Sequence, residues 1–135
     1  MWKCEVVNGA ELDVAEVAAL YRASTLAERR PVGDAGRFAD MVRNANLVVV
    51  ARIDDRLVGI ARSVTDGAYV TYLSDLAVDA EFQNRGIGRD LIARTREAAP
   101  RAKIVLLSAP AAAEYYPHLG FTRHNSAWVL DPLAP

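Results

Sequence analysis

Gln83-Asn84-Arg85-Gly86-Ile87-Gly88-Arg89 is the stretch whose residue types and spacing point most directly to chemistry. It follows the apolar run Leu76-Ala77-Val78. It leads into Ile87, Leu91, Ile92 and Thr95, whose spacing predicts the core face of a helix that Pro100 stops. A loop joining a strand to a helix start in this way suits an anion. The first turn of a helix leaves about four N–H groups unpaired and carries about half a positive charge. Glycines at 86 and 88 let an anion approach the backbone with no Cβ in the way, and Arg85 and Arg89 add charge on the same side, so a pyrophosphate fits. Taken alone, Gly86-Ile87-Gly88 is equally a softened helix entry with solvated arginines. Position 91 is leucine, which breaks the dinucleotide pattern Gly-x-Gly-x-x-Gly, so NAD is not expected.

Other chemistries lack their residues. His118 and His124 sit six apart with Cys4 as the one cysteine, which is not a zinc spacing, and no metal is expected. No Gly-x-Ser-x-Gly elbow and no Gly-Lys-Ser/Thr loop occurs. Ser108 has no identifiable histidine partner and reads as a polar strand end. A formal net charge of −1 gives no general pull toward nucleic acid or a membrane, so neither is expected as a partner. A single cysteine excludes an internal disulfide framework and suggests a reducing, cytoplasmic setting. The opening Met1-Trp2-Lys3-Cys4-Glu5 lacks a signal-peptide plan, and no apolar run approaches the roughly 20 residues that span a bilayer.

The elements that must position the loop follow from periodicity. With 135 residues the chain is expected to form one domain, 1–135. Lys3 to Val7 predicts a strand. Asp13 predicts the cap of a helix with Val14, Val17, Ala18 and Tyr21 inward, and Asp34 that of a second with Phe38, Met41, Val42 and Ala45 inward. Leu47 to Ala51 is apolar on both faces, so a buried strand is expected, followed after Asp54-Asp55 by Arg56 to Val64. Asp66-Gly67 predicts a two-residue hairpin turn into a strand from Ala68 to Val78. After the central helix come a strand from Lys103 to Leu107 and a helix from Pro110 to Leu119 ended by Gly120. Phe121 to His124 and Ala127 to Leu130 read as two closing strands or one bent hairpin, which, counted as one element, completes the order β-α-α-β-β-β-α-β-α-β. This order makes an α/β, or α+β layered, domain with helices on both sheet faces.

Two separate segments resemble the GNAT acetyltransferase superfamily. Gln83-Asn84-Arg85-Gly86-Ile87-Gly88 looks like its Gln/Arg-x-x-Gly-x-Gly/Ala acetyl-CoA loop, with Asp75-Leu76-Ala77-Val78 like the end of its fourth strand. Ala112-Ala113-Glu114-Tyr115-Tyr116-Pro117-His118-Leu119-Gly120-Phe121 is similar to its Ala-x-x-Phe-Tyr-x-x-Leu-Gly-Phe close. One helix and one strand separate the two, as in the family, and together they cover roughly residues 68 to 124.

The resemblance implies a mixed, mostly antiparallel, splayed sheet whose fourth and fifth strands part around the pantetheine arm of acetyl-CoA. Leu76, Ala77 and Val78 would hold that arm through their backbone. Gln83, Asn84, Arg85, Gly86, Ile87, Gly88 and Arg89 would take the phosphates. Tyr116 falls on the family's general acid, which protonates the departing thiolate, whereas Tyr115 falls on an apolar slot. Asp75 is either the base that accepts the amine proton or a carboxylate satisfying local donors. Many relatives carry an asparagine where this chain has Ala109, so that pantetheine contact is lost. The implied activity is transfer of an acetyl group to a primary amine of a small molecule or peptide, by a monomer or homodimer. A non-catalytic acyl-CoA-binding module is the alternative. The acceptor site would be walled by Thr25 to Arg37 and by His124 to Trp128. There, Arg29, Arg30 and Arg37 would suit an acceptor bearing an acid group.

Overall fold

Asp13 and Asp34 start the first two helices as expected. The Asp13 carboxylate accepts from the backbone N–H of Ala15 at 3.0 Å and of Glu16 at 3.4 Å, and Asp34 accepts from that of Arg37 at 3.2 Å. The structure is a computed structural model and describes residues 1–134. Its order is β1 (Lys3–Val7), α1 (Val14–Ser24), α2 (Ala35–Arg43), β2 (Leu47–Ile53), β3 (Arg56–Thr65), β4 (Val70–Val78), α3 (Ile87–Ala98) and β5 (Lys103–Val105). The result is an α/β fold with an open five-stranded sheet in the order β1-β2-β3-β4-β5 and three helices. The first four strands pair antiparallel, and β5 pairs parallel to β4.

Both faces of the sheet are covered. Val48 and Val50 pack with Val17, Tyr21, Phe38 and Val42 of α1 and α2. Val49 and Ala51 turn the other way, into Ile87, Leu91 and Ile92 of α3. Side chains alternate faces along a strand, so a stretch covered on both sides must be apolar throughout, as β2 is from Leu47 to Ala51. Among the described residues no helix is long and apolar enough to cross a membrane.

The fold departs from the sequence-based expectation at its turns and at its end. Only Gly67 of the Asp66-Gly67 pair has a left-handed backbone, φ 74°. Asp66 instead accepts from the N–H groups of Ala68, Tyr69 and Val70, at 2.8 to 3.1 Å, which lengthens the loop and delays β4 to Val70. The helix expected from Pro110 to Leu119 resolves into two 3₁₀ turns, Pro110–Ala112 and Tyr116–Leu119. Pro117 explains the break, because it has no N–H to donate and its ring crowds the carbonyl four residues back. Gly120 ends the second turn at φ 93°, with the Phe121 N–H returning to the Tyr116 carbonyl at 3.2 Å.

Neither closing strand forms. Residues 121–124 and 127–130 are irregular, and Trp128 and Leu130 are exposed. A strand needs a ladder to join, and β5 offers only three residues. The observed order therefore ends with β5: β-α-α-β-β-β-α-β.

Candidate active site

The sheet opens where the sequence places the chemistry. From Thr71 to Val78, with one register shift at Ser74, β4 is paired on one side to β3, but β5 joins it only at Val70, Thr71 and Tyr72. From Leu73 to Val78 the other edge of β4 faces a gap, which is the splay expected of its fourth and fifth strands. A cleft of about 440 Å³ lies there. One wall is Leu76, Ala77 and Val78 with Gln83, another is Ala109 to Ala111, and a third is Ser24 to Leu26 with Glu28 and Arg29. Ala109 thus faces the cleft, so the amide it lacks would have reached into it. The Val78 carbonyl at this edge already accepts a 2.9 Å hydrogen bond from the Gln83 side-chain amide.

Beyond β4 the chain turns into α3 through two left-handed residues, Asn84 at φ 64° and Gly86 at φ 99°. Gly86 stands at the helix N-cap, and no side chain caps the helix. The first-turn N–H groups are therefore left for another acceptor. A Cβ on Gly88 would stand 2.7 Å from the Tyr115 hydroxyl oxygen, so this glycine gives room to a phenol that crosses the helix start. Arg85 folds back over the Phe82 ring, 5.2 Å from its centroid, and donates to the Glu81 carbonyl at 3.3 Å. Below the loop, Asp90 accepts from Trp2 Nε1 at 2.9 Å and from Cys4 Sγ at 3.3 Å. The Trp2 bond foremost holds the Asp90 carboxyl below its ordinary range. Burial and Asp90 push the Cys4 thiol up to about 12, so it stays protonated and is no nucleophile.

Tyr116 is half-buried on the α3 side of the sheet. Its ring meets Tyr115 and Phe121 edge to face, with centroids 5.3 and 5.5 Å away. Burial raises the phenol above its ordinary value, which keeps its proton available for donation. It is not among the residues lining the cleft. Tyr115, expected in an apolar slot, is 39% exposed and lies against the phosphate-type loop.

Asp75 is 1% exposed and does not line the cleft. Its carboxylate accepts from Tyr21 Oη at 2.6 Å, Arg62 Nε at 2.6 Å, Arg30 Nε at 2.5 Å and Ser74 Oγ at 3.2 Å. Burial alone would raise its pKa, but the charge and hydrogen bonds of Arg62, with those of Tyr21 and Arg30, hold it below the ordinary value. Burial and the adjacent carboxylate push Tyr21 well up. Arg62 and Asp75 are cross-strand partners on β3 and β4. Of the three acceptor-loop arginines, Arg30 is taken by Asp75, Arg29 lines the cleft beside Glu28, and Arg37 stands exposed on α2. The expected convergence of guanidiniums does not occur.

Comparison with known proteins places these features in a family. The family model described as an acetyltransferase (GNAT) domain matches residues 44–123. A GNAT-family acetyltransferase from Streptococcus pneumoniae is 19% identical with a TM-score of 0.71, covering 98% of this chain and 100% of its own. An aminoglycoside acetyltransferase from an uncultured soil metagenomic sample, in complex with trehalose, is 20% identical at 0.72, covering 99% and 97%. The aminoglycoside N-acetyltransferase AAC(6′)-Iy in complex with CoA is 14% identical at 0.70, covering 99% and 96%. No curated protein matches the sequence. The family match spans more than half of the chain, including β4, the glycine loop, α3 and Tyr116, and on that ground the chain belongs to the GNAT acetyltransferases.

Proposed function

We propose that this acetyltransferase moves the acetyl group of acetyl-CoA to a primary amine of a small molecule or peptide by direct attack, with no covalent enzyme intermediate. The observation that carries the reading is the parting of β4 from β5 beside the uncapped start of α3. An extended pantetheine arm fits the free edge at Leu76, Ala77 and Val78, where it replaces the missing strand. The N–H groups of Gly86, Ile87 and Gly88 suit the diphosphate, with Gln83, Asn84, Arg85 and Arg89 around it. A cytoplasmic setting accords with the lone, protonated Cys4.

Acetyl-CoA supplies an activated carbonyl, and the chain supplies geometry and protons. As the C–N bond forms, the C–S bond breaks. Tyr116 is the acid for the departing sulfur, supported by the raised phenol. The amine must lose a proton as well. At a pKa near 10 it is about one part in a thousand neutral at pH 7, a deficit of about 4 kcal/mol. Asp75 is poorly suited to relieve that, since four donors occupy its oxygens. Glu28 is the one carboxylate among the described residues lining the cleft and is better placed to take the proton, directly or through water.

The test is incubation with acetyl-CoA and a broad amine panel, scored by release of CoA thiol. Release that requires an amine supports transfer. Tight acetyl-CoA binding with no release from any amine returns the chain to an acyl-CoA-binding module.

A further inference from the structure

Arg30 reaches from the turn after α1 across to Ser74 and Asp75 in the middle of β4. We propose that it is a latch: it holds the segment from Thr25 to Pro31 against Ser74 and Asp75, and so sets the wall on which the acceptor amine rests. Arg30 is then a positioning residue, and the acceptor half of the inference rests on the reaction proposed above.

The segment is held at its start, where Leu26 and Ala27 pack against the core and the Leu26 N–H donates to Ser24 Oγ at 3.2 Å. It begins at Thr25 with φ 73°, a left-handed conformation that a β-branched residue adopts only under strain. The Thr25 side chain does not cap its 3₁₀ turn, Leu26–Arg29. At its far end, however, all three guanidinium nitrogens of Arg30 are engaged. Nε donates to Asp75 at 2.5 Å, Nη2 to the Ser74 carbonyl at 2.8 Å and Nη1 to the Arg29 carbonyl at 2.8 Å. A planar fork can bind a carboxylate and a neighbouring carbonyl together, which an ammonium cannot match.

The anchor itself is rigid. Asp75 is also gripped by Tyr21 of α1 and by Arg62 of β3, and Arg62 donates onward to the Met41 carbonyl of α2 at 2.9 Å. The latch therefore ties the far end of the segment to the point where both helices meet the sheet. The cleft begins one residue away on each side: Arg29 precedes Arg30, Leu76 follows Asp75, and both line it. Glu28 and Arg29 owe their place in the wall to the contact immediately behind them. The contacts proposed for acetyl-CoA at Leu76 to Val78 and at the start of α3 use no atom of Arg30.

Arg30→Gln and Arg30→Lys test the latch. In the glutamine variant, amide hydrogen exchange across residues 25–31 is expected to quicken about tenfold or more. Acetyl-CoA affinity by calorimetry should stay within about twofold, and KM for the amine should rise about tenfold with kcat changed far less, since the loss is one of positioning. The amine is whichever of sisomicin, spermidine and lysine the wild type acetylates fastest; if it acetylates none, exchange alone decides. Lysine is expected to recover part of the exchange protection and of KM. Unchanged exchange in Arg30→Gln overturns the proposal. So does an equal loss of acetyl-CoA affinity and amine KM, which marks a general stability element. A wild type that binds no acetyl-CoA defeats the acetyltransferase mechanism instead, while the exchange result still judges the latch.

Discussion

Replacing Asp75 by asparagine separates two roles that the sequence left open. The substitution keeps the shape and removes the charge. Oδ1 accepts from Arg30 and Ser74, and Oδ2 from Tyr21 and Arg62. Whichever way the amide is placed, its NH₂ faces a guanidinium N–H. Arg62, whose side chain is 9% exposed, is left charged and without its carboxylate. Breaking a buried pair from one side costs about 3–5 kcal/mol. With an unfolding entropy of about 2.1 cal/mol/K per residue, 135 residues carry about 0.28 kcal/mol/K, so Tm should fall by about 11–18 °C. Circular dichroism melts at pH 7 measure this directly.

The acid limb gives a second check on the same carboxylate. Its folded pKa lies below the ordinary value of 3.8, so its contribution is complete above that value and lost as pH falls through the lowered one. The gap in Tm between wild type and variant should hold steady from pH 7 to about 5 and narrow below about 4. A general base would behave otherwise: kcat would fall about 10²- to 10⁴-fold with little change in Tm. A variant melting within about 2 °C of wild type, well below one kcal/mol of loss, with turnover collapsed, would restore Asp75 as the base.

Tyr116→Phe keeps the ring contacts with Tyr115 and Phe121 and removes only the hydroxyl, so kcat should drop about 10²- to 10⁴-fold with acetyl-CoA affinity little changed; wild-type turnover would leave Tyr116 a packing residue. Gly86→Glu puts a Cβ at φ 99°, at a cost of about 1–2 kcal/mol, and sets a carboxylate at the helix start. Acetyl-CoA binding should be lost in calorimetry while the protein stays folded, and retained affinity would refute the placement of the diphosphate. Gly88→Ala should weaken acetyl-CoA binding by driving the new methyl into the Tyr115 hydroxyl, and adding Tyr115→Phe should recover part of the loss. No recovery in the double variant would mean that the two residues do not meet.

The elements that the sequence predicted well are those with their own local cause. Asp13 and Asp34 cap helices through their own side chains, and Ile87, Leu91, Ile92 and Thr95 are all buried as their spacing required. The turn into α3 was legible for the same reason, since a glycine such as Gly86, at φ 99°, states a backbone requirement that no distant residue must supply. What stayed hidden depends on tertiary partners. Nothing local distinguishes Arg30 from Arg29, yet one is committed to Asp75, 45 positions away, and the other lines the cleft. The closing strands failed for the complementary reason. Ala127 to Leu130 has the composition of a strand, but a strand is a relation between two segments, and β5 is too short to offer that relation. Asp75 joins both lessons. Its position at a strand end beside the glycine loop suggested a base, and only the donors from α1, β3 and the Arg30 turn converging on it reveal a carboxylate already spoken for.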